Sequence, residues 1–101
     1  MIAALVLFPV DGALSSEDAA ARFASTAPNY EGLAGLHSKA YVYEDGGATV
    51  GGFYLWTSRA AAEAMYTDAW REKVTGVYGV PPSLRYFEVP VYIDNTASVV
   101  V

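Results

Sequence analysis

The stretch from Val50 to Trp70, VGGFYLWTSRAAAEAMYTDAW, constrains this chain most, because it joins two kinds of element with no linker between them. Phe53, Tyr54, Leu55 and Trp56 have the aromatic content of a strand, Thr57-Ser58 supplies an N-cap, and the alanine-rich run beyond has helical spacing. Ahead of it, Asp45-Gly46-Gly47 signals a hairpin, since glycine reaches the positive φ that tight hairpin turns need. The Tyr- and Val-rich segment Gly35 to Glu44 therefore pairs antiparallel with a strand from Ala48 to Thr57.

The remaining elements fall on either side of this hairpin and helix. Ile2 to Val10 is an almost unbroken apolar run closed by Asp11-Gly12, which predicts a strand that is central or at least covered. It lacks a basic leading segment and a small-residue cleavage site, and is about half the length of a membrane span. Ser15 and Ser16 cap a first helix running to about Ala27, with Glu17 and Asp18 in its first turn and Ala19, Ala20, Phe23, Ala24 and Ala27 at helical spacing. The second helix is expected from Ser58 to the region of Gly76 to Gly79, with an apolar stripe of Ala62, Met65, Tyr66, Ala69, Trp70 and the Lys73 stem. Pro81-Pro82 separates it from a fourth strand, Ser83 to about Val91.

The order strand, helix, strand, strand, helix, strand predicts a ferredoxin-like α+β domain over residues 1–95, a four-stranded antiparallel sheet with two helices on one face, and a short tail over 96–101. Helices on one face should leave the other polar. Yet Gly51, Phe53 and Leu55 are as apolar as Gly52, Tyr54 and Trp56, and 53% of the chain is hydrophobic against 17% charged. Something must cover the second face, and a second copy of the same sheet is the economical answer, giving a homodimer.

A net charge of -5 offers no footprint for nucleic acid or an anionic membrane. The absence of cysteine fits a reducing, cytoplasmic setting, and with a single histidine it leaves no zinc or haem site, so no metal or cofactor is expected; a carboxylate-only cation site stays open. The glycine pairs match neither phosphate-binding fingerprint, and no nucleophile elbow occurs.

A two-residue turn at Asp45-Gly46 or Gly46-Gly47 puts His37, Lys39 and Tyr41 on the sheet face of Tyr54, Gly52 and Val50, with Lys39 facing a glycine that leaves it room. A three-residue loop would substitute Leu36, Ser38, Ala40 and Val42. In the two-residue register Trp56 shares that face, and Tyr66 and Trp70 lean over it from the helix. The candidate walls of an aromatic chamber are thus His37, Lys39, Tyr41, Tyr54, Trp56, Tyr66 and Trp70, either a tight core or a pocket for a small hydrophobic or aromatic molecule.

His37 is the natural general base, its ordinary pKa being nearest neutrality. Lys39 either holds an anionic oxygen of substrate or pairs with Glu44, Glu63 or Glu88, and Arg85 reads as a solvated edge charge.

The run GGFYLWTSRAAAEAMY, Gly35-Leu36 ahead of Lys39, and the closing Tyr86 to Pro90 together resemble the YdhR-type mono-oxygenase family of the dimeric α+β barrel superfamily. The resemblance spans Ile2 to Asn95 and is carried most specifically by Gly51 to Trp56. It implies a homodimer of ferredoxin-like protomers and a cofactor-independent oxygenase role on an aromatic or quinol-like compound. The same scaffold also hosts cyclases, isomerases and ligand-binding domains. The antibiotic-biosynthesis mono-oxygenases of the superfamily carry an asparagine and a tryptophan on the third strand. Trp56 falls on the tryptophan, and Gly52 stands where the asparagine would be.

Overall fold

The run Val50 to Trp56 becomes a strand with two distinct faces in the computed structural model, which describes residues 1–96 and the backbone of 99 and 100. In chain order the elements are β1 (Ile2–Pro9), α1 (Ser16–Thr26), a 3-10 turn (Ala27–Asn29), β2 (Leu36–Tyr43), β3 (Thr49–Trp56), α2 (Arg59–Met65), α3 (Asp68–Tyr78), β4 (Ser83–Glu88), β5 (Ile93–Asp94) and β6 (Val99–Val100). The first four strands form one antiparallel sheet in the order β2-β3-β1-β4, the ferredoxin-like arrangement expected. None of the helices is long and apolar enough to cross a membrane among the described residues.

β1 is central, and its Ala4, Val6 and Phe8 join Val50, Tyr54 and Trp56 of β3 in the core beneath the helices. Ser15 caps α1 through a hydrogen bond from the Asp18 N–H (3.1 Å), and Ser58 caps α2 through one from the Ala61 N–H (3.1 Å). The opposite sheet face carries Ala40, Phe53, Leu5 and Arg85 in one row and Leu55, Ala3 and Phe87 in the next. Phe53 and Phe87 remain 39% and 41% exposed there, so the apolar second face is real.

Three expectations change. The single second helix is two, because the backbone leaves helical geometry at Tyr66 (φ -83, ψ 61) and restarts at Asp68 under a new cap from Thr67, whose hydroxyl accepts the Trp70 N–H (3.2 Å). The restart shifts the phase of the stripe. Ala69 and Lys73 face solvent, and Val74 and Tyr78 are buried in their place. β4 stops at Glu88, before Pro90, a residue with no N–H for a ladder. Beyond it, β5 pairs antiparallel with β6, so the end of the chain is more than a tail; residues 97, 98 and 101 of that segment lie outside the described residues.

The hairpin takes the register of the Gly46-Gly47 turn, and Lys39 lies opposite a tyrosine where a glycine was expected. Lys39 pairs with Tyr54, and Tyr41 pairs with Gly52, so the predicted face is kept. The hairpin tip is seated on the segment before α1. Gly47, at φ +77, passes so close to the Leu14 carbonyl that a side chain there would overlap it, and Leu14 N–H donates to the Gly47 carbonyl (2.9 Å).

Candidate functional site

Because side chains alternate along a strand, the register just described sends Lys39 inward from β2 toward the helices, beside Tyr41 and across from Tyr54. An unpaired inward lysine is uncommon, and its stem needs space. Gly52 supplies it, since a Cβ at that position would stand 2.9 Å from Tyr54 Cε1 and 3.1 Å from Lys39 Cε.

The amine ends among rings. Nζ lies 3.4 Å from the Tyr30 ring centroid, 3.9 Å from that of Tyr41 and 4.5 Å from that of Tyr54. None of the expected carboxylates, Glu44, Glu63 or Glu88, pairs with it; among the described residues the one ion pair is Arg59–Glu63 on the exposed side of α2. Burial away from water lowers the ammonium pKa to about 7, while the negative faces of three rings act in the opposite sense by favouring the cation. Lys39 is therefore the group in this compartment that changes charge near neutrality.

The tyrosines around it are fixed from behind. The Tyr41 hydroxyl shares a 2.7 Å hydrogen bond with Thr26 Oγ1, and its ring stacks on Phe23 (4.7 Å). Burial raises the Tyr41 phenol, with the Thr26 bond opposing, and burial holds the Tyr54 and Tyr66 phenols far above their ordinary value. Burial thus favours the neutral form of these hydroxyls, in which they can donate hydrogen bonds. The Tyr30 hydroxyl accepts the Trp70 indole N–H (3.1 Å), which pins the loop after the 3-10 turn over the amine.

The rest of the expected chamber is filled. Trp56 is fully buried and donates its indole N–H to the Tyr66 hydroxyl (3.0 Å), Tyr54 stacks parallel to Trp56, and Tyr66 meets Trp70 edge-on at 4.8 Å. The space left beside Lys39, among Phe8, Thr26, Gly52 and Val74, is about 10 Å³, enough for one water at most. Trp56, Tyr66 and Trp70 thus form a packed aromatic core that supports the site, in place of the walls of a ligand chamber. The accessible volume is outside, in a groove of about 280 Å³ at the β2 edge lined by Tyr30, Glu31, Leu36, His37, Ser38, Lys39 and Tyr41. A smaller apolar hollow of about 140 Å³ lies between Leu33, Ala34 and α2, with Trp56 at its base.

His37 does not join the chamber. The β2–β3 pairing slips between Leu36 and Ser38, and the bulge turns His37 out to an exposed position where Nδ1 meets Ser38 Oγ (3.2 Å) and the ring meets Tyr92 edge-on (5.5 Å). It borders the outer groove without approaching the inner face. Arg85, as expected, is exposed on an edge strand, with its guanidinium over the Phe87 ring at 5.0 Å. Tyr30 is the residue that sequence reasoning missed; its signal was a large aromatic set among turn formers, between Pro28-Asn29 and Gly32.

No family model matches the sequence, and no curated protein matches it. Among solved structures the chain is similar to a mono-oxygenase from the gene ActVA-Orf6 of Streptomyces coelicolor in complex with the ligand nanaomycin D, at 20% identity, covering 92% of this chain and 90% of that one with a TM-score of 0.69. It is also similar to SnoaB, a cofactor-independent oxygenase from Streptomyces nogalater (19% identity, 87% and 91% coverage, TM-score 0.64). A third is Rv0793 from Mycobacterium tuberculosis (14% identity, 93% and 96% coverage, TM-score 0.62). Identities this low show a shared fold, the α+β fold of antibiotic-biosynthesis mono-oxygenase structures.

Proposed function

We propose that the protein is a cofactor-independent mono-oxygenase acting on a small hydrophobic phenol or quinol-like compound, and that it works as a cytoplasmic homodimer of the YdhR-type branch of the dimeric α+β barrel superfamily. The observation that carries the reading is the Lys39 amine, free of any carboxylate partner among the described residues, set among tyrosine rings at the wall of the open groove. Names of structural neighbours support it, one being a mono-oxygenase with a bound ligand and another a cofactor-independent oxygenase. Two further properties of this chain also support it. The end of the Lys39 stem passes over Gly52, the position on which, by the resemblance, the asparagine of the antibiotic-biosynthesis mono-oxygenases falls. The apolar outer sheet face supplies the surface for a second copy.

In this reading Tyr30, Tyr41 and Leu36 bind the flat substrate, and Lys39, neutral above about pH 7, takes the phenolic proton. The resulting ammonium sits beside the phenolate. That electron-rich anion gives one electron to dioxygen, the radical pair recombines at the ring carbon para to the oxygen, and the peroxide takes a proton. Loss of the remaining hydrogen from that carbon, with cleavage of the O–O bond, leaves a carbonyl and releases water. One oxygen atom enters the product and one leaves as water, so substrate and dioxygen balance quinone and water with no external reductant.

The test is oxygen uptake with a panel of naphthols and anthrones, together with ¹⁸O₂ labelling. The expected result is one labelled atom per product molecule and a loss of about 10² or more in kcat/KM for Lys39→Met, the usual worth of a positioned base. Product formed equally well under nitrogen would replace this reading with a cyclase or isomerase. Uptake indifferent to Lys39→Met would remove the lysine from the chemistry.

A further inference from the structure

Oxygen chemistry uses Lys39 as a base, yet its surroundings fit a second kind of reactivity. Three ring faces enclose the amine, and no side-chain ion pair holds it among the described residues, so its lone pair in the neutral form is not tied up by a carboxylate-bound ammonium. Lys39 also lines the groove of about 280 Å³, whose Tyr30, Leu36 and Tyr41 walls suit a compound of one or two rings. The titratable neighbours facing that groove are Glu31, His37, Tyr30 and Tyr41, with Tyr54 behind, and none makes an ion pair with the amine.

We propose that Lys39 is a carbonyl-capture site, its amine condensing with a small aromatic aldehyde or ketone in the groove to form an imine. The nitrogen lone pair forms the C–N bond as the carbonyl π pair moves onto oxygen; oxygen gains a proton and nitrogen loses one. The carbinolamine hydroxyl then takes up a proton and leaves as water while the nitrogen lone pair makes the C=N bond, and the nitrogen gives up its remaining proton. Nothing is oxidised or reduced, and carbonyl plus amine balances imine plus water. Burial suits this step, because a desolvated lysine is nucleophilic near neutrality and an imine is less demanding of water than an ammonium. The lowered pKa of the amine acts in the same direction. The inference rests on the cage and the groove, and it stands whether or not dioxygen is a substrate.

The chain contains its own reference, since its other lysine, Lys73, is exposed on α3. Benzaldehyde with cyanoborohydride at pH 7.5, followed by peptide mapping, reads both lysines in one sample of the intact protein. The expected result is benzylation of Lys39 at least tenfold faster than of Lys73, with the lead falling severalfold in Tyr30→Ala, which opens the cage to water. Labelling of Lys39 no faster than Lys73 in the unaltered protein overturns the proposal, as does a lead that survives Tyr30→Ala undiminished. The readout is an adduct mass, so failure here is distinct from failure of oxygen uptake.

Discussion

A lysine enclosed by tyrosine rings makes the stability of this protein depend on pH in a way a surface lysine would not. Below pH 7 the amine is protonated in both folded and unfolded chains, and the folded state bears the full desolvation penalty. Between about 7 and the ordinary 10.5, the folded amine is neutral while the unfolded one still binds a proton, so stability rises with pH across that window. Above it the trend reverses, because Tyr54 and Tyr66 must stay neutral to stay buried. Lys39→Met should therefore stabilise the protein at pH 6, with the gain shrinking toward pH 9.5. Urea unfolding of both proteins at the two pH values checks this, and a difference that is the same at both would mean the amine is not desolvated. That Lys39 points inward was legible from the hairpin signal and strand alternation. That His37 points outward was not, because the bulge between Leu36 and Ser38 leaves no mark in the residue types. Tyr30 escaped notice for a related reason, since its place over Lys39 is set by a loop whose path depends on the distant Trp70 indole.

At the level of elements, the break between α2 and α3 shows how local capping overrides a stripe that looks continuous. Nothing between Arg59 and Tyr78 is a proline, and the one internal glycine, Gly76, lies well past the break, so periodicity alone reads one helix. Thr67-Asp68 decides otherwise, the threonine closing the first turn of α3 and the aspartate sitting where a helix N-terminus favours an acid. The break lets Tyr66 reach the Trp56 indole while Val74 and Tyr78 turn into the core. Thr67→Ala should cost about 1 kcal/mol by denaturant unfolding, the usual worth of a cap, and Thr67→Ser much less. If the two helices instead wanted to be one, alanine, the better helix former, would stabilise the protein. Such a gain would show that the cap follows from the break and does not cause it. The strand order, by contrast, could be read directly, because the Asp45-Gly46-Gly47 turn, the doubly apolar β1 and the Pro81-Pro82 stop leave few other topologies.

For the molecule as a whole, the open question is what meets the outer face of the sheet. Helices cover one side only, and the other presents Phe53 and Phe87, each about two-fifths exposed, around half-buried Leu5, Leu7 and Leu55. Val91 and Ile93, 64% and 62% exposed, extend apolar surface onto the segment after β4. A second copy turned about a two-fold axis would match this face with itself, burying aromatic against aromatic and leaving Arg85 toward the edge strand. Charge placed at Phe53 tests that arrangement cleanly, because the residue lies on the face away from the helices and its loss leaves the Lys39 cage intact. In a symmetric pair each change is met twice, so Phe53→Glu should weaken association by roughly 2–6 kcal/mol while leaving the protomer folded. Sedimentation should then show the unaltered protein as a dimer at micromolar concentration and the variant as a monomer with an unchanged far-ultraviolet spectrum. An unaltered protein that sediments as a monomer would leave the outer face without a partner of its own kind. A variant that remains a dimer would move the contact to another surface, where Val91 and Ile93 would be the next residues to charge.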